Sequence, residues 1–199
     1  MFGRVNPEEK AYADQVQALR QHKDHFFGSS LESPIPDDTR RRGFAGLSYF
    51  PPDLAFRVRA MIVPFQRQAL VDLGTTTGAI RPQVRHAELR FRIGEQNLRL
   101  TGFLDPHYRE HHHGQDHGVE LFVPFRDASS GRETYGAGRY VEVQVEEEAD
   151  SRQVATIDFN LAYNPFCAYN EAYSCPLPPV ENALPVAIRA GERIYGNGH

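Results

Sequence analysis

Alternation of apolar and polar residues dominates the chain from about residue 54 onward. Clear runs with a two-residue period cover 54–62, 87–93, 119–125, 141–146 and 155–159, and shorter candidates lie at 69–75, 97–103 and 132–135. Side chains on a strand point alternately to opposite faces, so each run predicts a ribbon with one dry face and one wet face. Short turn-forming segments join the runs without helical crossovers. We therefore expect a mainly β fold of seven or eight strands, either a single antiparallel β-barrel or a closed β-sandwich.

The first part of the chain has a helical period instead. Asn6 is a good N-cap, Pro7 occupies the first helical position, and Glu9 stands three residues after the cap. Gly28 is typical of a helix C-terminus. The pattern predicts one helix over residues 6–27, packed on the sheet through the stripe Tyr12, Val16, Leu19, Lys23 and Phe26.

Length and composition restrict the class of protein. The 199 residues suit a single domain, 1–199, with the helix at 6–27 and a β-rich part at 43–195. No apolar run approaches the roughly 20 residues of a membrane helix. The net charge of −4 argues against binding to a nucleic-acid backbone. We expect a cytoplasmic protein whose partner is a small-molecule ligand, with no nucleic acid, no membrane and no cofactor; a homodimer is left open.

Two segments of the β region are dense in polar side chains. One leads from Tyr135 through small residues to Arg139, whose planar guanidinium suits a carboxylate or a phosphate. In the other, Asp158 and Asn160 leave a predicted strand on its polar face. If the sheet closes, these side chains converge on a pocket. The ligand-binding candidates are Tyr135, Arg139, Asp158, Asn160, Tyr163, Asn164, Cys167 and Cys175.

Structural alternatives exist for the same residues. A buried arginine paired with an acid can fix the register of a sheet, and Asp and Asn commonly cap turns. Cys167 and Cys175 are expected to be reduced thiols in a cytoplasm, although a disulfide closing their short loop is also compatible with the spacing. The segment around the cysteines supplies no base, which disfavours a thiol nucleophile.

A cluster of histidines lies between His107 and His117. In an extended conformation His111 and His113 share a face, so that they could chelate a metal ion together with His117. The cupin pattern, which this pair resembles, requires a glutamate further on and a second motif that the sequence lacks. The alternative is an exposed polar loop that happens to be rich in histidine.

Several motifs closely resemble the bacterial family catalogued as domain of unknown function 1684. They are GFAGLSYFP (43–51), FVPFRD (122–127), YGAGR (135–139), DFNLAYNP (158–165), CAY (167–169), CPLPPVEN (175–182) and AGE (190–192). The resemblance extends from about residue 43 to residue 195. It implies a shared fold and a shared site around Arg139, Asp158, Asn160, Tyr163, Asn164, Cys167 and Cys175, but it supplies no activity. The histidine cluster does not belong to the family pattern.

Three functions are compatible with these patterns. The first is binding of a small anionic molecule in a β-barrel pocket, with Arg139 contacting the anion. The second is a hydrolase-like enzyme in which Asp158 is the general base and Arg139 stabilises an anion. The third is metal binding by the His107–His117 loop.

Overall fold

The computed structural model describes residues 6–107 and 118–196, whose strands form a closed antiparallel barrel. Each strand pairs with the next along the chain, and the last pairs with the first. This arrangement confirms the predicted fold class and selects the barrel over the sandwich. The strands are β1 (Arg57–Gly74), β2 (Ile80–Ile93), β3 (Gln96–Leu104), β4 (Glu120–Phe125), β5 (Arg139–Glu147) and β6 (Gln153–Asp158).

The barrel has six strands in the described residues, fewer than the pattern predicts. Most of the run at 54–62 and nearly all of the run at 69–75 belong to one long strand, β1, whose pairing with β2 shifts register between Pro64 and Ala69. The run at 132–135 is a turn rather than a strand. Sequence periodicity cannot distinguish an irregularity within a strand from a break between two strands.

Two helices precede the barrel. Helix α1 (Pro7–Ser29) begins as predicted, because the Asn6 side chain accepts a hydrogen bond from the Glu8 amide at 3.1 Å. It continues through Gly28 to Ser29, past the predicted end at residue 27. Helix α2 (Asp37–Arg41) is not among the predicted elements. Among the described residues, no helix combines the length and the apolar character needed to span a membrane.

Apolar side chains fill the interior of the barrel. Fully buried residues from β2, β4, β5 and β6, such as Leu89, Val123, Val143 and Ile157, belong to one continuous cluster. The rings of Phe125 and Phe159 meet edge to face there, with centroids 5.3 Å apart. The predicted internal pocket is therefore not found in the described part of the barrel, whose interior is filled with apolar side chains.

The C-terminal segment completes the barrel wall where β3 and β4 barely pair. Among the described residues, their ladder contains a single residue pair, Phe103 with Phe122. Beside it, the Asn182 carboxamide accepts from the Thr101 amide at 2.7 Å and donates to the carbonyls of Thr101 and Pro124. Asn182 thus replaces the missing backbone hydrogen bonds with those of a side chain.

Polar contacts attach α1 to the barrel. The Tyr12 hydroxyl donates to the Asp158 carboxylate, with its oxygens 2.8 and 2.9 Å away. The buried Arg20 guanidinium donates to the carbonyls of Phe50 and Asn160 at 2.8 and 3.2 Å. Leu19, by contrast, is exposed. The predicted stripe is therefore correct for Tyr12 and wrong for Leu19, whose place on the buried face is taken by Arg20.

We expect Tyr12→Phe to lower the free energy of unfolding by about 1.5–3 kcal/mol, the usual contribution of a hydrogen bond to a charged group. The variant keeps the ring and removes only the hydroxyl that holds Asp158. Urea denaturation of both proteins measures the difference. Tyr173→Phe is the matched control, because its hydroxyl has no hydrogen-bond partner among the described residues; equal losses in the two variants would contradict the assignment.

Candidate functional site

Arg139 lies at the start of β5 and is only 1% exposed. Its two terminal nitrogens donate to the Asp127 carboxylate at 3.0 Å, to the carbonyls of Ile188 and Glu192 at 2.8 and 2.9 Å, and to that of Ala190. These four bonds use all four terminal N–H groups. The structural alternative, an arginine paired with an acid, therefore replaces the predicted contact of Arg139 with an anionic ligand.

Asp127 connects Arg139 to a surface turn through hydrogen bonds to both. Its other carboxylate oxygen accepts from the Ser129 amide and hydroxyl and from the Ile188 amide, at distances of 2.7, 2.5 and 3.1 Å. The turn that follows, 129–134, carries Arg132 and Glu133 outward. A buried ion pair thus fixes the base of an exposed charged loop.

Asp158 and Asn160 are also committed to internal contacts. Besides Tyr12, the Asp158 carboxylate accepts from the Asn160 backbone amide at 3.0 Å and from its side chain at 3.2 Å. The Asn160 carboxamide in addition exchanges two hydrogen bonds with the backbone of Asp53, at 2.9 and 2.8 Å. Asp158 and Arg139 share no hydrogen-bond partner in the described residues, so the convergence on one pocket that the sequence predicts is not found.

Asn164 belongs to a third group, centred on Glu192, whereas the neighbouring Tyr163 side chain bonds to Glu142 instead. The Glu192 residue is 1% exposed. Its carboxylate accepts hydrogen bonds from the Lys23 ammonium of α1, from the Tyr169 hydroxyl and from the Asn164 backbone amide, the last at 2.8 Å. Burial and this carboxylate raise the pKa of Tyr169 well above its ordinary value. The Tyr163 hydroxyl donates to Glu142 at 2.6 Å. These contacts join α1, the Asn164 turn and the C-terminal segment.

Three of the eight candidates form a further cluster: Tyr135, Cys167 and Cys175. Cys167 lies in a short 3-10 helix (Phe166–Ala168), and its amide donates to the Cys175 sulfur at 3.3 Å. Both cysteines are free. The Tyr135 hydroxyl donates to the Cys167 sulfur at 3.7 Å. Hydrogen bonds from Cys175, Tyr135 and Thr76 lower the pKa of the Cys167 thiol to about 6, although burial opposes them.

Tyr135 and Cys167 line a cavity of about 650 Å³, here called the thiol cavity. Its walls come from the turn 131–136, the segment 167–171 and the C-terminal residues 194–196. A second cavity of about 640 Å³, the arginine cavity, lies between residues 43–48, the side chains of Arg132 and Glu133, and residues 193–196. The two cavities are adjacent and together form what is here called the double cleft. They share five wall residues: Thr39, Arg132, Ile194, Tyr195 and Gly196.

Positive charge predominates in the arginine cavity. Arg189 donates to both oxygens of Glu133, at 3.0 and 2.9 Å, and so lowers the pKa of that carboxyl. Arg193 and Arg132 lower it further through their charges. Two arginines, Arg132 and Arg193, line this cavity together with Glu133, whose carboxylate already pairs with Arg189 outside the wall. The wall of the arginine cavity therefore carries an excess of positive charge, whereas the thiol cavity adds one carboxylate, Glu171.

Three residues of these groups are not among the predicted candidates: Arg132, Arg193 and Glu192. Glu192 could have been predicted, because it ends the AGE motif (190–192) that resembles the family pattern. Arg132 lies in a turn and Arg193 in an irregular segment, where no period indicates the direction of a side chain. Their proximity arises because the Ile194 amide donates to the Glu133 carbonyl at 3.1 Å, a contact between distant parts of the chain.

The proposed metal ligands His111, His113 and His117 lie outside the described residues. His107 is at the edge of the described part, where its amide donates to the Asp105 carboxylate at 2.8 Å. Within 6–107 and 118–196, no group of three or more His, Cys, Asp or Glu side chains is arranged to hold a metal ion.

Comparisons with known proteins agree on the fold and give no activity. The family model described as "Protein of unknown function (DUF1684)" matches residues 42–193. A structure solved by NMR in solution, of an uncharacterised protein from Haloarcula marismortui, is 38% identical, with a TM-score of 0.68. The similarity covers 95% of this chain and 97% of that one. A search of curated proteins gave no match.

Proposed function

Because the chain belongs to the DUF1684 family of proteins of unknown function, we propose a function from its own geometry: it binds a small organic anion in the double cleft. The observation that carries this proposal is the excess of arginine around Glu133 on the wall of the arginine cavity. The cleft supplies the concave site, and Arg132, which lines both of its cavities, supplies the contact to the anion.

The dimensions and the chemistry of the cleft support a small-molecule ligand. Each cavity falls within the range of about 300–1,000 Å³ that is usual for such sites. Arg132 is exposed, so its guanidinium can pair with a carboxylate or a phosphate through two parallel hydrogen bonds. Phe44 and Tyr195 add apolar and aromatic surface for the carbon part of a ligand.

The loop that presents Arg132 is preorganised. Its base is fixed by Asp127, which is held in turn by the buried Arg139. A binding side chain on a rigid loop loses less conformational entropy when the ligand arrives. In this proposal Arg139 is a positioning residue for the site and makes no contact with the ligand.

We expect Arg132→Gln to weaken binding of an organic anion by roughly 10- to 100-fold, because a hydrogen bond to a charged group contributes about 1.5–3 kcal/mol. A thermal-shift screen with citrate, succinate and pyrophosphate identifies the probe, since a ligand of the folded state raises the melting temperature. Calorimetric titration of wild type and variant with that probe then gives the two dissociation constants.

Arg152→Gln is the matched control, because it removes the same charge from the β5–β6 turn, where Arg152 pairs with Asp150 and Glu148. The control should bind the probe as the wild type does. The proposal fails if none of the three anions stabilises the protein, or if Arg132→Gln and Arg152→Gln bind equally well.

No described contact favours the alternative in which Asp158 is a general base with Arg139 as its anion stabiliser. Both Asp158 oxygens accept the Tyr12 hydroxyl, and the terminal Arg139 donors are used internally. A cytoplasmic location, where thiols stay reduced, is part of our proposal and is in keeping with the free state of Cys167 and Cys175.

A further inference from the structure

Cys167 and Cys175 form a thiol pair whose chemistry does not depend on the proposed anion site. The sulfur of Cys175 lies 3.3 Å from the Cys167 amide nitrogen and accepts a hydrogen bond from it. The exposed fractions of Cys167 and Cys175 are 6% and 8%. A pair this close, still in the thiol form, can be bridged through a small movement of the loop between them.

The two sulfurs differ in their surroundings. The neighbouring Cys175 and the Tyr135 hydroxyl, which donates to the Cys167 sulfur, lower the pKa of Cys167. The neighbouring Cys167 and burial raise the pKa of Cys175. Burial also raises the pKa of Tyr135, so its phenol stays protonated and remains a donor. One member of the pair is therefore prepared as a nucleophile and the other stays a thiol.

The two sulfurs also differ in their access to the thiol cavity, which favours Cys167. Cys167 and Tyr135 are on the wall of the thiol cavity, and Cys175 is not. Cys175 instead contacts the tip of the β1–β2 hairpin, where its amide donates to the Thr76 hydroxyl at 3.3 Å and its carbonyl accepts from the Thr76 amide at 3.0 Å. A small oxidant that enters the cavity meets Cys167 first.

We propose that Cys167 and Cys175 are a redox-active pair that a hydroperoxide converts reversibly into a disulfide, with Cys167 as the attacking sulfur and Cys175 as the resolving sulfur. This inference holds whether or not the double cleft binds an organic anion.

The reaction balances with the hydroperoxide as the only oxidant. The Cys167 thiolate attacks the terminal oxygen of the hydroperoxide, the O–O bond breaks, and the leaving alkoxide or hydroxide takes up a proton. Cys167 is then a sulfenic acid. The Cys175 sulfur attacks the Cys167 sulfur, the S–S bond forms, and the sulfenic hydroxyl leaves as water with the Cys175 proton. Two thiols are oxidised by two electrons, and the hydroperoxide is reduced to an alcohol, or to water, plus one water.

The test treats the full chain with one equivalent of hydrogen peroxide. We expect both titratable thiols to disappear together, the intact mass to fall by two hydrogen atoms, and dithiothreitol to restore both. Cys175→Ser should stop at the sulfenic acid on Cys167, which dimedone traps. The proposal is overturned if Cys167 is oxidised while Cys175 remains a free thiol in the wild type, or if Cys175 reacts with dimedone in Cys167→Ser as fast as Cys167 does in Cys175→Ser.

The pH dependence of dimedone trapping in Cys175→Ser separates a prepared thiolate from an ordinary thiol. Cys175→Ser loses the Cys175 thiol, the largest cause of the lowered Cys167 pKa, but keeps the Tyr135 donor. The rate should therefore increase with pH as the thiolate forms and reach half its plateau below about 8.5, the pKa of an unperturbed cysteine. Adding Tyr135→Phe removes a donor to Cys167 and should move the midpoint upward, whereas Tyr173→Phe should leave it in place. Midpoints that coincide in the folded and the urea-unfolded chain would overturn the proposal.

Discussion

Replacing Arg139 by alanine is expected to lower the free energy of unfolding by at least about 3–5 kcal/mol, the usual cost of leaving one partner of a buried ion pair without the other. The variant leaves the buried Asp127 carboxylate without its counter-charge. It also removes the donors to the carbonyls of Ile188, Ala190 and Glu192. The loss should therefore lie at or above the upper end of that range.

Urea denaturation measures this loss, with Arg152→Ala as the control at an exposed ion pair, where the change should stay within about 1 kcal/mol. Because Arg139→Ala can fail to fold, the double variant Asp127→Asn with Arg139→Met provides a second measurement. It removes the unpaired charge and keeps a side-chain oxygen that can accept from Ser129 and Ile188, so it should be more stable than Arg139→Ala. A double variant that is less stable than the single one would contradict this account of the ion pair.

Gly191→Ala is the second variant for which we expect a large loss, of about 2–5 kcal/mol. Gly191 has a φ of +74°, a left-handed conformation that costs a residue with a Cβ about 1–2 kcal/mol. A Cβ here would also press on the backbone oxygens of Ala162 and Phe159, the latter at 2.7 Å. Backbone atoms inside a packed region cannot turn aside, so an overpacking cost of about 1–3 kcal/mol is added.

Gly196→Ala separates the two contributions, since Gly196 has a similar φ of +64° but no heavy atom of residues 6–107 or 118–196 within 4 Å of the added Cβ. We expect Gly196→Ala to lose only the conformational part, about 1–2 kcal/mol. Thermal and urea unfolding of both variants supply the comparison. If the two lose the same free energy, the close approach of Gly191 to the Phe159–Ala162 turn has no energetic effect.

The barrel could be predicted from the sequence because its determinants are local and periodic. Alternation along 141–146 records which face of β5 is buried, and the Asn6–Pro7 signal depends only on neighbouring residues. The continuity of the runs 54–62 and 69–75 in one strand could not be predicted from the sequence. The irregularity between Pro64 and Ala69 interrupts the alternation without ending the strand.

The candidate site was predictable only in part, because the environment of a polar side chain is set by contacts between distant residues. Three predicted candidates do lie together, Tyr135, Cys167 and Cys175, and the first two line a cavity. Arg139 and Asp158 have suitable chemical types, but their side chains already bond to distant residues, Asp127 and Tyr12 respectively. A sequence shows that a guanidinium is present, but it does not show how many of its donors are already used.

The apolar filling of the barrel has a consequence for how relatives of this protein can diverge. In the proposed function, the ligand is contacted by the turn 129–134, the segment 167–171 and the last residues of the described chain, none of which contributes a side chain to the apolar cluster of the barrel interior. Mutations in these three segments can therefore change which molecules bind while the apolar core of the barrel is preserved. The scaffold and the recognition surface can evolve at separate rates.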